Sequence, residues 1–241
     1  MDRAGQIALE SRLHRSLDLK ADGTIVTSTD VAVEEFLREQ LSAAWPGTRF
    51  WGEEIGREEP AEDGYWLIDP IDGTSNFAFG SPLWGISVGF AVGGVLELGA
   101  VWLPDLRERY VAERGQGAWV NMEPLAAIPP GPIHPHELVS YHDETARWYS
   151  GQGFPGKMRC SGAFVIDGTF TARQRFRGMI GRGEYLYDAA ASILLNQELG
   201  ADVRWADGSD LDLAQLIAGH RFQRAWVIFP HGSDFRLVEP D

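Results

Sequence analysis

The spacing of apolar positions changes several times along the chain, and each change predicts an element. Val33, Phe36, Leu37, Gln40, Leu41 and Ala44 recur at helical spacing after Asp30 until Pro46-Gly47 ends the run, and a looser helical pattern covers residues 3–19. Two helices are therefore expected ahead of the first strands. Residues 48–52 and 65–68 are short apolar runs of strand length. Ile86, Val88, Phe90 and Val92 alternate up to Gly93-Gly94, and Val95 resumes the alternation, which predicts a β-hairpin with a two-residue turn. Strands at 107–113 and 118–121 complete a mostly antiparallel sheet.

The segment 123–137, with its Pro-Pro-Gly-Pro, is a connection and marks a boundary between two halves, 1–122 and 123–241, of one compact unit. Beyond it, strands at 138–141 and 224–229 bracket helices at 163–172 and 188–199, the second stopped by Gly200. The expected class is α+β, with helices and sheets in alternating layers.

At 241 residues with 44% hydrophobic content the chain can bury a sizeable core. Its net charge of −14, from 21 Lys and Arg against 35 Asp and Glu, argues against a nucleic acid polymer as partner, because such affinity rests on neutralising phosphates. The single cysteine, Cys160, rules out an internal disulfide, fits a reducing cytoplasm and is expected to be a small buried hydrophobe. No signal peptide pattern opens the chain. Residues 84–104 are apolar over about the length a bilayer requires, but Glu97 and the interspersed glycines favour a soluble sheet, so no membrane partner is expected.

The chemistry concentrates in Trp66-Leu67-Ile68-Asp69-Pro70-Ile71-Asp72-Gly73-Thr74-Ser75-Asn76-Phe77, where an apolar run drives into two carboxylates followed at once by Gly-Thr. Asp69 and Asp72 can share divalent cations with hard oxygen ligands, the Ile71 carbonyl can turn inward, and the Gly73 and Thr74 amides can meet a phosphate if a short helix starts there. The matching reaction is metal-assisted attack of water on a phosphate ester. Asp-Pro and Asp-Gly are also ordinary turn dipeptides, so the segment gains weight only from its company. Glu53 and Glu54 follow a short apolar strand, Asp30 stands at one helix start, and Asp188 opens another ahead of Ala189, Ala190 and Ala191. Singly these are solvated charges or helix caps; together they are acids presented at element ends to a shared cleft.

On these residues the sequence resembles the inositol monophosphatase family of metal-dependent phosphatases. The matching segments are Lys20-x-Asp22-Gly23-Thr24-x-Val26-Thr27-x-x-Asp30, Gly52-Glu53-Glu54, Trp66-x-x-Asp69-Pro70-Ile71-Asp72-Gly73-Thr74-x-Asn76-Phe77, Gly115-x-Gly117-Ala118, and Asp188-x-Ala190-Ala191 with Glu198-x-Gly200. The resemblance implies a layered α/β/α/β/α sandwich of the inositol monophosphatase and fructose-1,6-bisphosphatase type. It implies that Glu53, Asp69, Asp72, Asp188 and the Ile71 carbonyl bind two or three Mg²⁺ ions while Gly73 and Thr74 hold the phosphate. Thr74 paired with Asp30 would orient and deprotonate the attacking water, with Glu53 catalytic beside them and Lys20 and Glu54 in support. A lithium-sensitive, cytoplasmic homodimer acting on a small phosphorylated metabolite is implied as well.

Departures from the family pattern bear on the substrate. The turn carrying Gly162, Ala163 and Phe164 resembles the family's substrate side, with Phe164 in place of a small residue and so a narrower pocket expected. Arg177 stands where the family carries Asp, and Gly181 where inositol phosphatases carry an acid, so the acid that would grip an inositol hydroxyl is missing. Tyr187 replaces a Trp, and Leu199 and Ala201 vary the closing segment. Arg173, Arg175 and Arg177 share a face if their stretch is extended, giving either a solvated edge or a cationic rim for a second anionic group. His134 and His136 read as loop residues. The substrates in view are a polyol or sugar phosphate, inositol monophosphate, histidinol phosphate, fructose 1,6-bisphosphate and a nucleoside 3′,5′-bisphosphate. The competing reading is a catalytically silent relative that binds a phosphorylated ligand or partner.

Overall fold

The computed structural model describes residues 1–12, 17–19, 25–60, 64–142, 145 and 154–237, with the side chains of 17–19 and 25–27 excepted. Lys20 and the Asp22-Gly23-Thr24 part of the first motif lie outside the described residues. The described elements run α1 (Asp2–Ser11), β1 (Leu17–Leu19), β2 (Ile25–Thr27), α2 (Ser28–Ala44), β3 (Arg49–Gly52), β4 (Gly56–Arg57), β5 (Tyr65–Asp72), α3 (Thr74–Phe79), β6 (Gly85–Val92), β7 (Val95–Leu103), β8 (Glu108–Glu113), β9 (Gly117–Val120) and β10 (Glu123–Pro124). They continue β11 (Leu138–Tyr141), β12 (Lys157–Arg159), α4 (Phe164–Ala172), β13 (Gly178–Gly181), α5 (Leu186–Glu198), β14 (Ala201–Trp205), α6 (Leu213–Ile217) and β15 (Trp226–Pro230). One expectation is corrected at the start. Residues 17–19 do not prolong the first helix but pair antiparallel with 25–27, so a small hairpin stands between α1 and α2.

Strands β10-β9-β8-β7-β6-β5-β3-β4 form an eight-stranded sheet, antiparallel except where β3 runs parallel to β5, and β12-β11-β13-β15-β14 form a second, mixed sheet. The predicted hairpin is β6–β7, closed at Val92 opposite Val95 by Gly93 and Gly94, both at positive φ as such a turn requires. Helices α1 and α2 cover one face of the large sheet through Ala4, Ala8, Val33 and Leu37, which pack with Phe50, Trp66 and Ile68. On its other face α4 and α5 fill the space before the second sheet, and one continuous core runs from Leu67 and Val101 through Ala190 and Leu194 to Ile228. The outer face of the second sheet is covered by Phe154, Phe235 and Leu237 among the described residues.

The alanines of α5 explain how the helix reaches the sheet. Gly89 and Gly99 are cross-strand partners beneath it, and a Cβ on either would stand 2.7 Å from the Ala190 methyl or 2.9 Å from the Ala191 Cα. Only glycine under alanine permits that approach. The close seat brings the start of α5, and Asp188 with it, over the ends of the strands that carry the other acids.

Candidate metal centre and active-site cleft

Parallel neighbours end side by side, and that register assembles the site. Gly52 pairs with Ile68, and the Glu53 amide donates to the Ile68 carbonyl at 3.1 Å, so Glu53 and Asp69 leave adjacent strands together. Asp188 arrives from above, held by the Tyr185 amide, which donates to its Oδ2 at 2.7 Å. Carboxylate oxygens of Glu53, Asp69 and Asp188 lie within 4.8 Å of one another. Pairing in β5 is irregular between Asp69 and Asp72, which keeps both acids on strand yet turns Asp72 to a different partner set. Its Oδ2 accepts from the Val165 amide at the start of α4, and the Phe164 amide adds a second bond. α4 has no side-chain cap of its own, so Asp72 supplies one across the cleft.

Burial and mutual repulsion push these acids upward. Asp69 is held well above the ordinary carboxylate range by burial and then by Glu53, Asp72, Asp188 and Asp30; Asp188 is raised by burial and Glu53. Asp72 is pushed up to about 6 by burial, its two amide bonds working against the rise. Several oxygen donors whose charges disfavour one another fit a hard divalent cation, which relieves the repulsion and prefers carboxylate and carbonyl oxygen.

Gly73 has φ 82° and caps α3, and a Cβ there would stand 2.7 Å from the Ala163 methyl, so the turn demands glycine on both counts. The Thr74 hydroxyl donates to the Ile71 carbonyl at 3.0 Å and lies 3.4 Å from Asp30 Oδ1. Asp30 itself is fully buried in the first turn of α2. The Asn76 side chain donates to the Leu83 and Ser161 carbonyls at 2.7 and 2.8 Å, tying the Gly162 turn to α3. Glu53, Asp69, Ile71, Asp72, Gly73, Thr74, Gly162, Phe164 and Asp188 thus line one cleft of about 430 Å³, with Ala163 packed directly behind Gly73.

Glu54 does not line that cleft. Its amide and that of Ile55 are anchored by Glu34, a buried acid one turn after Asp30 that also takes the Arg38 guanidinium at 2.9 Å. A Cβ on Gly52 would overlap the Glu34 carboxylate, which explains the glycine before Glu53. Glu34 escaped the sequence reading, although an acid among Val33 and Leu37 on the apolar stripe was its signal. The other wall was also missed: His142, Glu184, Tyr185 and Arg221 line the cleft, and Asp167 lies behind it, held by Ser161 at 2.6 Å and pushed up to about 7 by burial.

The arginine row is corrected. Gln174 takes φ 56° just beyond the helix end, so the stretch is a turn and its arginines share no extended face. Arg173 and Arg175 both pair with Glu108, at 3.0 and 2.5 Å, while Arg177 stands 3.5 Å from Glu137 in a separate groove with His134 and His136. Arg177→Ala should therefore change kcat/KM less than about twofold for any phosphate ester, since its guanidinium lines a groove that shares no residue with the cleft and makes no contact that could strengthen in the transition state. Steady-state rates on singly and doubly anionic esters check this, and a selective loss on the doubly anionic ester would restore the rim. Cys160, expected buried, is exposed at the end of β12.

The Glu184 carboxylate stands 3.0 Å from where a Cβ on Gly181 would be, 5% exposed and facing the cleft.

Comparison with known proteins agrees with this geometry. The model of the inositol monophosphatase family matches residues 1–226. The inositol-1-monophosphatase of Mesorhizobium japonicum is 31% identical over 227 residues, 87% of this chain and 84% of that protein. The histidinol-phosphatase of Chlorobaculum parvum is 40% identical over 126 residues, a match spanning about half of each chain, 52% of this one and 49% of the other. Among solved structures, a Staphylococcal inositol monophosphatase-1 described as a lithium-soaked inhibitory complex superposes with TM-score 0.77 at 20% identity over 95% of this chain and 86% of its own. With the family model spanning nearly the whole chain and the acids gathered at one cleft, this protein belongs to the inositol monophosphatase family of phosphatases.

Proposed function

We propose that this phosphatase cleaves the monoester of a small alcohol with water, using Mg²⁺ held by Glu53, Asp69, Asp72, Asp188 and the Ile71 carbonyl. The observation that carries the reading is the cluster of Glu53, Asp69 and Asp188 oxygens beside the Gly73-Thr74 turn. Two or three bound Mg²⁺ ions would lower the pKa of water and offset negative charge on phosphate and leaving oxygen. The Gly73 and Thr74 amides hold the phosphoryl oxygens. Thr74 Oγ1 orients the attacking water and relays its proton towards Asp30, with Glu53 beside them. The new bond joins water oxygen to phosphorus, the ester bond to the alcohol oxygen breaks, and that oxygen takes up a proton, giving alcohol and inorganic phosphate.

The acids argue against a silent binding protein, since none of the proposed ligands is replaced in this chain. A screen of phosphorylated metabolites for phosphate release, with and without Mg²⁺, tests the reading. It should include inositol monophosphate, histidinol phosphate, fructose 1,6-bisphosphate and a nucleoside 3′,5′-bisphosphate. No release from any of them with Mg²⁺ present would return the silent reading. Millimolar Li⁺ should inhibit by competing for one of the cation positions, as the lithium-soaked Staphylococcal structure suggests by its description. Full activity in Li⁺ would argue that the cation positions differ here. Homodimer assembly belongs to this proposal through the family resemblance, and sedimentation reads it directly. Cytoplasmic location stands on the same footing; among the described residues no helix is long and apolar enough to cross a membrane.

A further inference from the structure

The cleft that holds the Gly73-Thr74 turn is also lined by a carboxylate that the proposed hydrolysis does not use. Glu184 is almost wholly buried, yet it lines the cleft. Its carboxylate accepts from Trp226 Nε1 and from the Arg182 amide, both at 2.9 Å, and His142 Nδ1 stands 3.2 Å from Oε1. Among the described residues no arginine or lysine forms an ion pair with it; its one ion-pair partner, His142, carries charge only when protonated. The ring of Phe164, which lines the cleft, stacks at 5.4 Å on that of Trp226, whose Nε1 holds Glu184. Arg221 lines the same cleft, but its guanidinium is held on the Gly183 carbonyl and over the Tyr185 ring. A carboxylate out of water, fixed by neutral donors, is best balanced by a cation that enters with the ligand.

We propose that Glu184 is the specificity-determining residue of this cleft and that it binds a protonated amine on the alcohol part of the ester. The favoured substrate class is then the phosphate ester of a small amino alcohol rather than of a neutral polyol or of an alcohol bearing a second phosphate. The two negative ends of the cleft divide the work. Phosphate meets the Gly73-Thr74 turn through the metal ions, and the amine meets Glu184 across the cleft. This rests on the reading of the cleft as the phosphatase site.

The test compares histidinol phosphate with its analogue carrying a hydroxyl in place of the amine, in wild type and in Glu184→Gln, with Mg²⁺ present. Wild type should prefer the amine by at least tenfold in kcat/KM, mainly through KM, and Glu184→Gln should erase most of that ratio. Glu184→Asp, which keeps the charge, should recover part of it. A structural role would lower both substrates together and leave the ratio alone, so an unchanged ratio in folded Glu184→Gln overturns the proposal. Should that variant fail to fold, product inhibition of wild type decides. The amino alcohol should compete at least tenfold more tightly than its hydroxyl analogue, and equal inhibition overturns the assignment. Absence of phosphate release from either ester and from the whole metabolite panel would instead strike the phosphatase reading itself.

Discussion

Asp69→Asn should lower turnover by more than the roughly 10- to 100-fold that follows loss of residues which only support a metal ligand. Asp69 is the most buried of the clustered acids, and Glu53, Asp72, Asp188 and Asp30 all press on it. An amide keeps the oxygen that accepts the Ile71 amide at 3.1 Å, so the fold is spared, but it cannot supply the charge that holds a cation. The same substitution should stabilise the metal-free protein, because it removes one charge from a buried, mutually repelling group. Melting in chelator should therefore be higher for Asp69→Asn than for wild type, while the rise on adding Mg²⁺ should be smaller. A variant that melts lower in chelator and gains as much from Mg²⁺ would show that Asp69 serves packing rather than the cation.

Thr74→Ala should cut kcat by about 10²- to 10⁴-fold, the range for losing a positioned proton acceptor, with KM changed only a few-fold. Its hydroxyl sits between the Ile71 carbonyl and Asp30, whereas its backbone amide, assigned to the phosphate, survives the substitution. An interaction made mainly in the transition state shows that split. Normal turnover with a raised KM would move Thr74 from the attacking water to ground-state binding.

The parts of the molecule legible in the sequence are those where one local signal decides. The Gly93-Gly94 hairpin follows from alternation and two glycines, and α2 from its apolar spacing and Pro46. Asp69, Asp72, Glu53, Asp188 and Thr74 could be named because they stand at the ends of recognisable elements, and the structure gathers them at one cleft. What failed depended on one residue's backbone or on a distant partner. Gln174 at positive φ turned an expected extended row into a turn, and Glu108, far away in sequence, took two of its arginines. Glu34 and Glu184 are acids whose burial comes from tertiary contacts, with the amides of residues 54 and 55 and with Trp226; the apolar stripe of α2 marks Glu34 as buried, but no local period names the partners of either. Strand β13 was hidden by the glycines at its two ends, Gly178 and Gly181, which carry no strand signal although Phe229 and Trp226 pack where their side chains would be.

That these acids form a cation site on which hydrolysis depends is tested by phosphate release measured alongside thermal melting during one Mg²⁺ titration of the chelator-treated protein. Release should be absent in chelator and recover with Mg²⁺, and the melting temperature should rise over the same concentration range, since a ligand bound only by the folded state stabilises it by mass action. Hydrolysis undiminished in excess chelator, or recovery of activity with no change in melting for wild type, would contradict it.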